Sequence, residues 1–380
     1  MAESSIRRDA FLRAPTSCDP GDPLNQAMLR AYSVERSVDY GCALEDVLKL
    51  RRRVEAGHAW ADVALLLADD NERRAEAALS AGHTAQAGRY GLYAAATCRL
   101  AQAGLEHDGE RRLQAYERQV ALFRQAMAQT RSDGAESFSV TYRGAPHAAW
   151  LFRCEKAQPE SPVVVIWGGA DGWCEAFHGS VPFYIECGLS VCLLELPGQG
   201  LARLRYGSTL TPDFTSLVSL TLDELIRRGM TSGRMGVLGH SAGGSLALAA
   251  AAADARIAAC CSNGGSYRLQ DGLQKYPRVG QRFGRMLGDN STPEDVHRFL
   301  EQIDLKGSAG RMVATLLCLQ GGCDILVDNA EAEQLVGLRG PASSQLEYWP
   351  EGVHCLYNHA VERNTVVAHW FARQLTQQAS

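Results

Sequence analysis

The sequence contains no apolar run long enough to cross a membrane. Even the alanine-rich stretch at residues 246–253 falls far short of the roughly 20 apolar residues that a spanning helix needs. The first 15 residues carry charges where a signal peptide has its apolar core. Hydrophobic residues make up 46% of the chain and charged residues 21%, as in ordinary globular proteins. We expect a cytoplasmic protein that has no membrane partner.

The sequence also lacks an excess of basic residues and any metal-binding motif. The formal net charge is −5 and no basic block stands out, so we expect no nucleic-acid partner. The twelve cysteines include no C-x-x-C pair, and several lie in or beside apolar segments, where cysteine acts as a small hydrophobe. Neither G-x-G-x-x-G nor a P-loop pattern is present. The sequence therefore predicts no metal, no disulfide framework and no cofactor.

The first third of the chain has helical periodicity throughout. Between residues 23 and 129, apolar side chains recur at helical spacing, beginning with a stripe that starts at Trp60. We expect four to six helices in a domain of residues 1–133, interrupted at Gly82, Gly88 and Gly104. The boundary of this domain is expected at residues 131–134. Trp60 and two tyrosines, Tyr90 and Tyr93, are interpreted as core residues or, alternatively, as part of a cover over the active site.

The remainder, residues 134–380, alternates between strands and helices. An antiparallel hairpin around residues 138–152 comes first, and buried strands then alternate with helices, which predicts a doubly wound, mostly parallel α/β sheet. The buried strands are predicted at residues 162–167, 190–194, 235–238, 257–261, 313–319 and 345–348. Further helices are expected at 181–187, 211–228 and 365–375. A helical insertion at about 266–304, with a helix start at 291–295, is expected over the carboxyl edge of the sheet.

Residues 239–243, reading G-H-S-A-G, lie between a predicted strand and a helical pattern that begins at residue 245. This G-x-S-x-G arrangement is a nucleophile elbow, in which Ser241 sits on a sharp turn with its hydroxyl clear of the sheet. The glycines remove the Cβ atoms that would collide in such a tight turn. The sequence therefore predicts Ser241 as a nucleophile, with the neighbouring His240 in a structural role.

A serine needs a base, and the base needs an orienting acid, each on a loop at the carboxyl end of a strand. Asp324 follows the strand at 313–319, and His354 follows the last strand. These two residues are the predicted acid and base, in the chain order Ser, Asp, His. Asp328 is the alternative acid, and His359 is expected to be structural.

The oxyanion of a tetrahedral intermediate requires two backbone N–H donors, each worth about 3 kcal/mol. Ala242 follows the nucleophile directly and should supply one of them. The second should come from Gly169 or Ala170, in the glycine-rich loop after the strand at residues 162–167.

Three stretches together resemble one group of the α/β-hydrolases. The first is the helical domain, with Trp60, Gly82, Tyr90 and the run Tyr93-Ala94-Ala95. The second is G-G-A-D-G-W at residues 168–173, and the third is E-L-P-G-Q-G at residues 195–200. The combination resembles the 2,6-dihydroxypseudooxynicotine hydrolases and the fungal polyketide chain-shortening hydrolases of the FrsA-like group. The match is specific in the last 240 residues or so and weaker in the helical domain.

The resemblance implies a serine hydrolase with the triad Ser241, Asp324 and His354. It also implies a site between the helical domain and the core, a small-molecule substrate, a homodimer, and cleavage of a carbon–carbon bond in an activated ketone. An additional carboxylate near the triad is implied too, for which Asp171, Glu175 and Asp271 are candidates. Hydrolysis of an ester, thioester or lactone, acyl transfer that closes a ring, and a binding protein without turnover are the alternatives.

Overall fold

The computed structural model describes residues 19–105, 107–130, 135–154, 162–230, 235–340 and 342–376. The chain divides into two compact units, Met1–Asp133 and Gly134–Ser380. The boundary stretch at 131–134 lies outside the described residues.

The described part of the first unit holds six helices. Trp60 opens the fourth of them and is buried, and its Nε1 donates to the carbonyl of Leu100 at 2.7 Å. Gly88 does not interrupt the helical pattern as expected, because it lies inside the fifth helix. A Cβ at Gly88 would overlap the side chain of Thr130 in the sixth helix. The helices are α1 Pro23–Ala31, α2 Val34–Asp39, α3 Leu44–Glu55, α4 Trp60–Ser80, α5 Thr84–Ala103 and α6 Glu110–Thr130.

The described part of the second unit contains an eight-stranded sheet in the order β1-β2-β4-β3-β5-β6-β7-β8. β1 pairs antiparallel with β2, and β2 with β4, whereas β3 to β8 are parallel. This arrangement confirms the predicted α/β class. The strands are β1 Ala135–Tyr142, β2 Ala145–Phe152, β3 Val163–Trp167, β4 Ser190–Leu194, β5 Met235–His240, β6 Ile257–Asn263, β7 Thr315–Gly321 and β8 Ser344–Trp349.

Apolar side chains on both faces explain why the central strands are buried. Every residue of β3, V-V-V-I-W, is shielded from solvent, as is every residue of β5. The predicted start of β7 at residue 313 is wrong, because Val313 is 70% exposed and the strand begins at Thr315. Since β5, β7 and β8 run parallel, the loops that follow them meet at one edge of the sheet.

Helices cover the sheet and form the insertion after β6. Thr292 and Asp295 form a capping box, which confirms the predicted helix start, but the short helices continue past residue 304 to Arg311. The helices are α7 Val181–Glu186, α8 Gly200–Leu204, α9 Phe214–Arg227, α10 Ala242–Ala253, α11 Leu269–Lys275, α12 Pro277–Leu287, α13 Pro293–Ile303, α14 Leu305–Arg311, α15 Asn329–Gly337 and α16 Ala360–Thr376. Two 3₁₀ helices, Cys174–Ser180 and His354–His359, add to them.

Three helix starts differ from the prediction. The helix expected from residue 211 begins at Phe214 with Asp213 as its N-cap, the helix expected from 245 begins at Ala242, and the last helix begins at Ala360. Over the described ranges, no helix has the combined length and apolarity that a membrane span requires.

Candidate active site

Ser241 occupies a strained turn between β5 and α10. Its φ is +58° and its ψ −132°, a conformation that non-glycine residues rarely adopt. The backbone N–H of Ser241 donates to the carbonyl of Asn263 at 2.8 Å, which anchors the turn to the end of β6. The predicted elbow geometry is therefore present at this residue.

The two elbow glycines have no room for side chains. A Cβ at Gly239 would overlap the carbonyl of Gly243, and a Cβ at Gly243 would lie 2.5 Å from the carbonyl oxygen of Gly168. Trp167 reinforces the same contact by donating its Nε1 to the Gly243 carbonyl at 2.9 Å. The G-x-S-x-G spacing follows from this close approach of three backbone segments.

His354 links the serine to a carboxylate. Its Nε2 lies 2.8 Å from the Oγ of Ser241, and its Nδ1 lies 2.8 Å from the Oδ2 of Asp324. The other oxygen of Asp324 accepts the backbone N–H groups of Leu326 at 2.8 Å and Val327 at 3.1 Å. The structure thus brings together three side chains that are far apart in sequence, with His354 between Ser241 and Asp324.

Burial and charge act in opposite directions on His354. Burial lowers the pKa of its imidazole, but the charge of Asp324, the neighbouring Cys355 and the hydrogen bond to Asp324 outweigh that effect and hold the pKa well above its usual value. The carboxylate of Asp324 therefore favours the protonated form of the His354 ring.

The pKa of the other nearby histidine, His240, is shifted in the opposite direction. Burial lowers its pKa well below the usual value, and the charges of Arg363 and His354 lower it further. Its ring stacks on Phe177, with the centroids 4.5 Å apart, and its Nδ1 lies 2.9 Å from the amide nitrogen of Asn263. These contacts agree with a structural role.

The alternative candidates for acid and base lie elsewhere. Asp328 is exposed and caps α15 by accepting the N–H of Ala330. His359 lies at the end of its 3₁₀ helix, with its Nδ1 3.3 Å from a carboxylate oxygen of Glu362. These two side chains bond to Ala330 and Glu362, whereas the side chain of Ser241 bonds to His354.

The candidate oxyanion donors lie close to Ser241 in sequence or in space. Ala242 is the first residue of α10, so its N–H has no acceptor within the helix. Gly169 packs against the elbow so closely that a Cβ there would lie 3.0 Å from the Ala242 nitrogen and 3.2 Å from the Ser241 Cβ. Ala170 lines the pocket beside Ser241. The loop after β3 therefore lies beside Ser241 and Ala242.

A mostly apolar pocket opens beside Ser241 and His354. The α11 and α12 helices of the insertion supply one wall, and the segment after Asp324 supplies another. The lining residues are Ala170, Ser241, Ala242, Gly264, Ser266, Arg268, Leu269, Gly272, Leu273, Val279, Phe283, Leu326, Val327 and His354.

The three candidate auxiliary carboxylates do not line this pocket. Asp171 forms an ion pair with Arg282 at 2.7 Å, and Asp271 pairs with Arg268 at 2.5 Å. Glu175 is only 2% exposed and lies in the 3₁₀ helix after the glycine-rich loop. A carboxylate that sequence analysis did not consider, Glu331, accepts a hydrogen bond from the hydroxyl of Ser266 in the pocket wall.

No group of three metal-ligating side chains occurs within the described ranges. All eleven cysteines in those ranges are free thiols.

The sheet is parallel except for its antiparallel start, and the serine elbow follows β5. Asp324 and His354 follow β7 and β8. Together these features define an α/β-hydrolase fold. No protein-family profile matches the sequence.

Comparison with known proteins gives a narrower placement. The chain is 30% identical over 335 residues to the 2,6-dihydropseudooxynicotine hydrolase of Paenarthrobacter nicotinovorans, covering 87% of this chain and 88% of that protein. It is also 29% identical over 259 residues to the α/β-hydrolase psoB of Aspergillus fumigatus, covering 63% and 57% of the two chains. A crystal structure of 2,6-dihydroxy-pseudo-oxynicotine hydrolase has the same fold, with a TM-score of 0.80, 24% identity, and coverage of 90% and 96%.

The chain therefore belongs to the α/β-hydrolase family that includes the 2,6-dihydropseudooxynicotine hydrolase, and it is a hydrolase enzyme.

Proposed function

We propose that this protein is a serine hydrolase in which Ser241 is the nucleophile, His354 the general base and Asp324 the orienting acid. The observation that carries the proposal is the continuous hydrogen-bonded chain from the Ser241 hydroxyl through the imidazole to the carboxylate, with 2.8 Å at both links. The strained backbone of Ser241 supports it further, because such strain persists where a site requires it.

The first half of the reaction forms an acyl-enzyme. His354 takes the proton from Ser241 as the Oγ attacks the substrate carbonyl carbon. The negative charge on the carbonyl oxygen is held by the N–H of Ala242 and by an N–H of the loop at Gly169 and Ala170. Collapse of the tetrahedral intermediate then breaks the bond to the leaving group, and the imidazolium returns the proton to it.

We propose further that the leaving group is a carbon atom and the substrate an activated ketone of the acyl-phenol or β-diketone type. A carbon leaves only when the substrate can hold the electron pair, as an enolate or as a carbanion conjugated with a phenol. Water then attacks the acyl-enzyme, again with His354 as base, and releases a carboxylic acid. Membership of the family and the mostly apolar pocket support a small aromatic or polyketide substrate.

The test compares two substrate classes on the purified protein. Matched aryl β-diketones and aryl esters are incubated with the wild type and with Ser241→Ala, and the products are identified by mass spectrometry. The proposal predicts a carboxylic acid and a methyl ketone from the β-diketone in the wild type alone. Turnover of the esters without any β-diketone cleavage would contradict carbon–carbon hydrolysis and indicate an esterase or thioesterase.

Ring closure by acyl transfer gives a different isotope pattern. In heavy-oxygen water, hydrolysis incorporates one solvent oxygen into the acid product, whereas capture of the acyl-enzyme by a nucleophile of the substrate incorporates none. A lactone product without label would mean that the enzyme catalyses cyclisation and not hydrolysis.

Other features remain predictions. We assign residues 1–133 to a helical domain and residues 134–380 to the catalytic domain. An auxiliary role for Asp171 or Glu175, a homodimer and a cytoplasmic location are further parts of this proposal.

A further inference from the structure

We propose that Gln199 is a positioning residue that fixes the backbone N–H groups of the oxyanion loop at Gly169 and Ala170. The proposal rests on the serine hydrolase function proposed above. Gln199 belongs to the E-L-P-G-Q-G segment after β4, and because β3 is the neighbour of β4, the loops after both strands lie at the same edge of the sheet.

The side chain of Gln199 is fully buried and bonded to the loop after β3. Its Nε2 donates to the carbonyl oxygen of Gly168 at 2.8 Å and to the carbonyl oxygen of Gly169 at 2.8 Å. A glutamine amide has two N–H donors, so these two bonds use both of them.

The orientation of the amide is fixed by its third partner. The Oε1 of Gln199 accepts the backbone N–H of Leu196 at 3.0 Å. A flipped amide would place Oε1 against two carbonyl oxygens and its own donors against an N–H, so only one orientation satisfies all three bonds. The main chain of Gln199 is held as well, because its N–H donates to Leu196 and its carbonyl accepts from Arg203.

Peptide geometry transmits this constraint to the donors. In a trans peptide, the carbonyl of one residue and the N–H of the next lie in one plane and point in opposite directions. The bond to the Gly168 carbonyl therefore fixes the direction of the Gly169 N–H, and the bond to the Gly169 carbonyl fixes that of the Ala170 N–H. One side chain holds both peptide planes that can supply the second oxyanion donor.

These two planes lie directly against the nucleophile. A Cβ at Gly169 would lie 3.0 Å from the Ala242 nitrogen, and the Gly168 carbonyl abuts Gly243 in the elbow. A rotation of either peptide would therefore move a donor relative to the position of the oxyanion. Such donors act when they are preorganised, and displacement by about 1 Å can reduce the rate about 100-fold.

Other side chains cannot replace these bonds. Asparagine is one methylene shorter, methionine has similar length but no donor, and an ionised glutamate presents two acceptors to two carbonyl oxygens. Methionine is therefore the variant that keeps the volume and removes the hydrogen bonds.

The experiment measures Gln199→Met beside wild type and beside Thr221→Val. Thr221 is a buried residue of α9 whose hydroxyl donates to the Leu217 carbonyl, so its variant loses one buried hydrogen bond without touching the loop. The measurements are kcat and KM on a chromogenic ester, the melting temperature, and the inhibition constant of an aryl trifluoromethyl ketone, which forms a tetrahedral oxyanion on serine.

We expect Gln199→Met to lower kcat by about 30- to 100-fold with KM changed less than about threefold, and to weaken the trifluoromethyl ketone by a factor similar to the loss of kcat/KM. Thr221→Val should lower the melting temperature but leave kcat and inhibitor affinity at wild-type values. A Gln199→Met variant that melts lower but keeps wild-type kcat and inhibitor affinity would overturn the positioning role and leave the serine hydrolase function intact.

A second variant, Gln199→Glu, keeps the proposal testable if Gln199→Met does not fold. In Gln199→Glu a protonated carboxyl keeps one donor and an ionised carboxylate keeps none. We expect the ratio of variant to wild-type kcat to fall as the pH rises from 6 to 9, whereas a wild-type kcat for Gln199→Glu over this whole range would contradict the proposal. A wild-type protein without any turnover or serine labelling would instead contradict the proposed function, and the positioning role with it.

Discussion

The Nδ1 atom of His354 lies 2.8 Å from the Oδ2 atom of Asp324, and this contact raises the pKa of the proposed base. Burial alone lowers that pKa, whereas the carboxylate raises it well above the usual value of about 6.5. Because the base must be neutral to accept a proton, kcat/KM should fall as the pH drops through a value above 6.5.

In Asp324→Asn, the pKa of His354 should be lowered instead of raised. Without the negative charge, burial dominates, so the acid limb of the kcat/KM profile should move to lower pH while kcat falls by about 10⁴. Asparagine can still accept the N–H groups of Leu326 and Val327, so the loop should keep its shape. A profile with an unchanged acid limb and a wild-type rate would show that Asp324 is not the acid, and Asp328→Asn would be measured next.

Ser241→Ala should remove turnover without unfolding the protein. The substitution deletes the hydroxyl that lies 2.8 Å from His354 and leaves the backbone bond from residue 241 to Asn263 in place. We expect a change in the free energy of unfolding of about 1 kcal/mol or less, by denaturant titration, with activity at background. Substantial residual turnover by this variant would exclude Ser241 as the nucleophile.

Gly243→Ala tests the close contact in the elbow. Its Cβ would lie 2.5 Å from the Gly168 carbonyl oxygen and 3.0 Å from the Cδ1 of Trp167, and neither a strand end nor a buried ring can move freely. We expect a loss of stability of roughly 1–3 kcal/mol and a loss of activity of about 100-fold. Gly337→Ala is the control, since nothing lies within 4 Å of a Cβ at that helix end. Equal melting temperatures for the two variants would count against the elbow geometry.

Glu195→Gln should stabilise the protein increasingly as the pH rises. Glu195 is 1% exposed, and burial raises its pKa well above the usual range, with the charge of Glu175 acting in the same direction. The wild type therefore keeps its full stability below the unfolded pKa of about 4.3 and loses stability as the pH rises toward the folded pKa. Glutamine has no charge to bury and can still accept the Ala202 N–H, which Glu195 accepts at 2.7 Å.

The measurement is the difference in melting temperature between Glu195→Gln and wild type at pH 5 and pH 8. We expect this difference to be larger at pH 8. The exposed Glu351→Gln serves as the control and should show no such trend. A difference for Glu195→Gln that is the same at both pH values would mean that Glu195 ionises normally.

The fold and the relative positions of Ser241, Asp324 and His354 could be predicted because local patterns encode them. Apolar runs without alternation indicate buried parallel strands, and parallel strands place their following loops at one edge. Chain order then restricts the acid and the histidine to the loops after two later strands, where the structure finds them beside the serine.

Long-range contacts explain what the sequence could not predict. Gln199 looks like any loop polar residue, and only the packing of the loop after β4 against the loop after β3 shows its two carbonyl partners. The helix-internal Gly88 was likewise unpredictable, since the reason for it is the side chain of Thr130 on another helix. The bond from Ser266 to Glu331 joins residues 65 positions apart and leaves no local pattern.

Site-specific labelling tests the central claim most directly. Wild-type protein is treated with a fluorophosphonate, and the adduct is located by peptide mapping in a mass spectrometer, with Ser241→Ala treated in parallel. The account predicts one adduct per chain, on the peptide that carries Ser241, and none in the variant. Folded wild-type protein that hydrolyses its substrate but carries no adduct on Ser241 would contradict it.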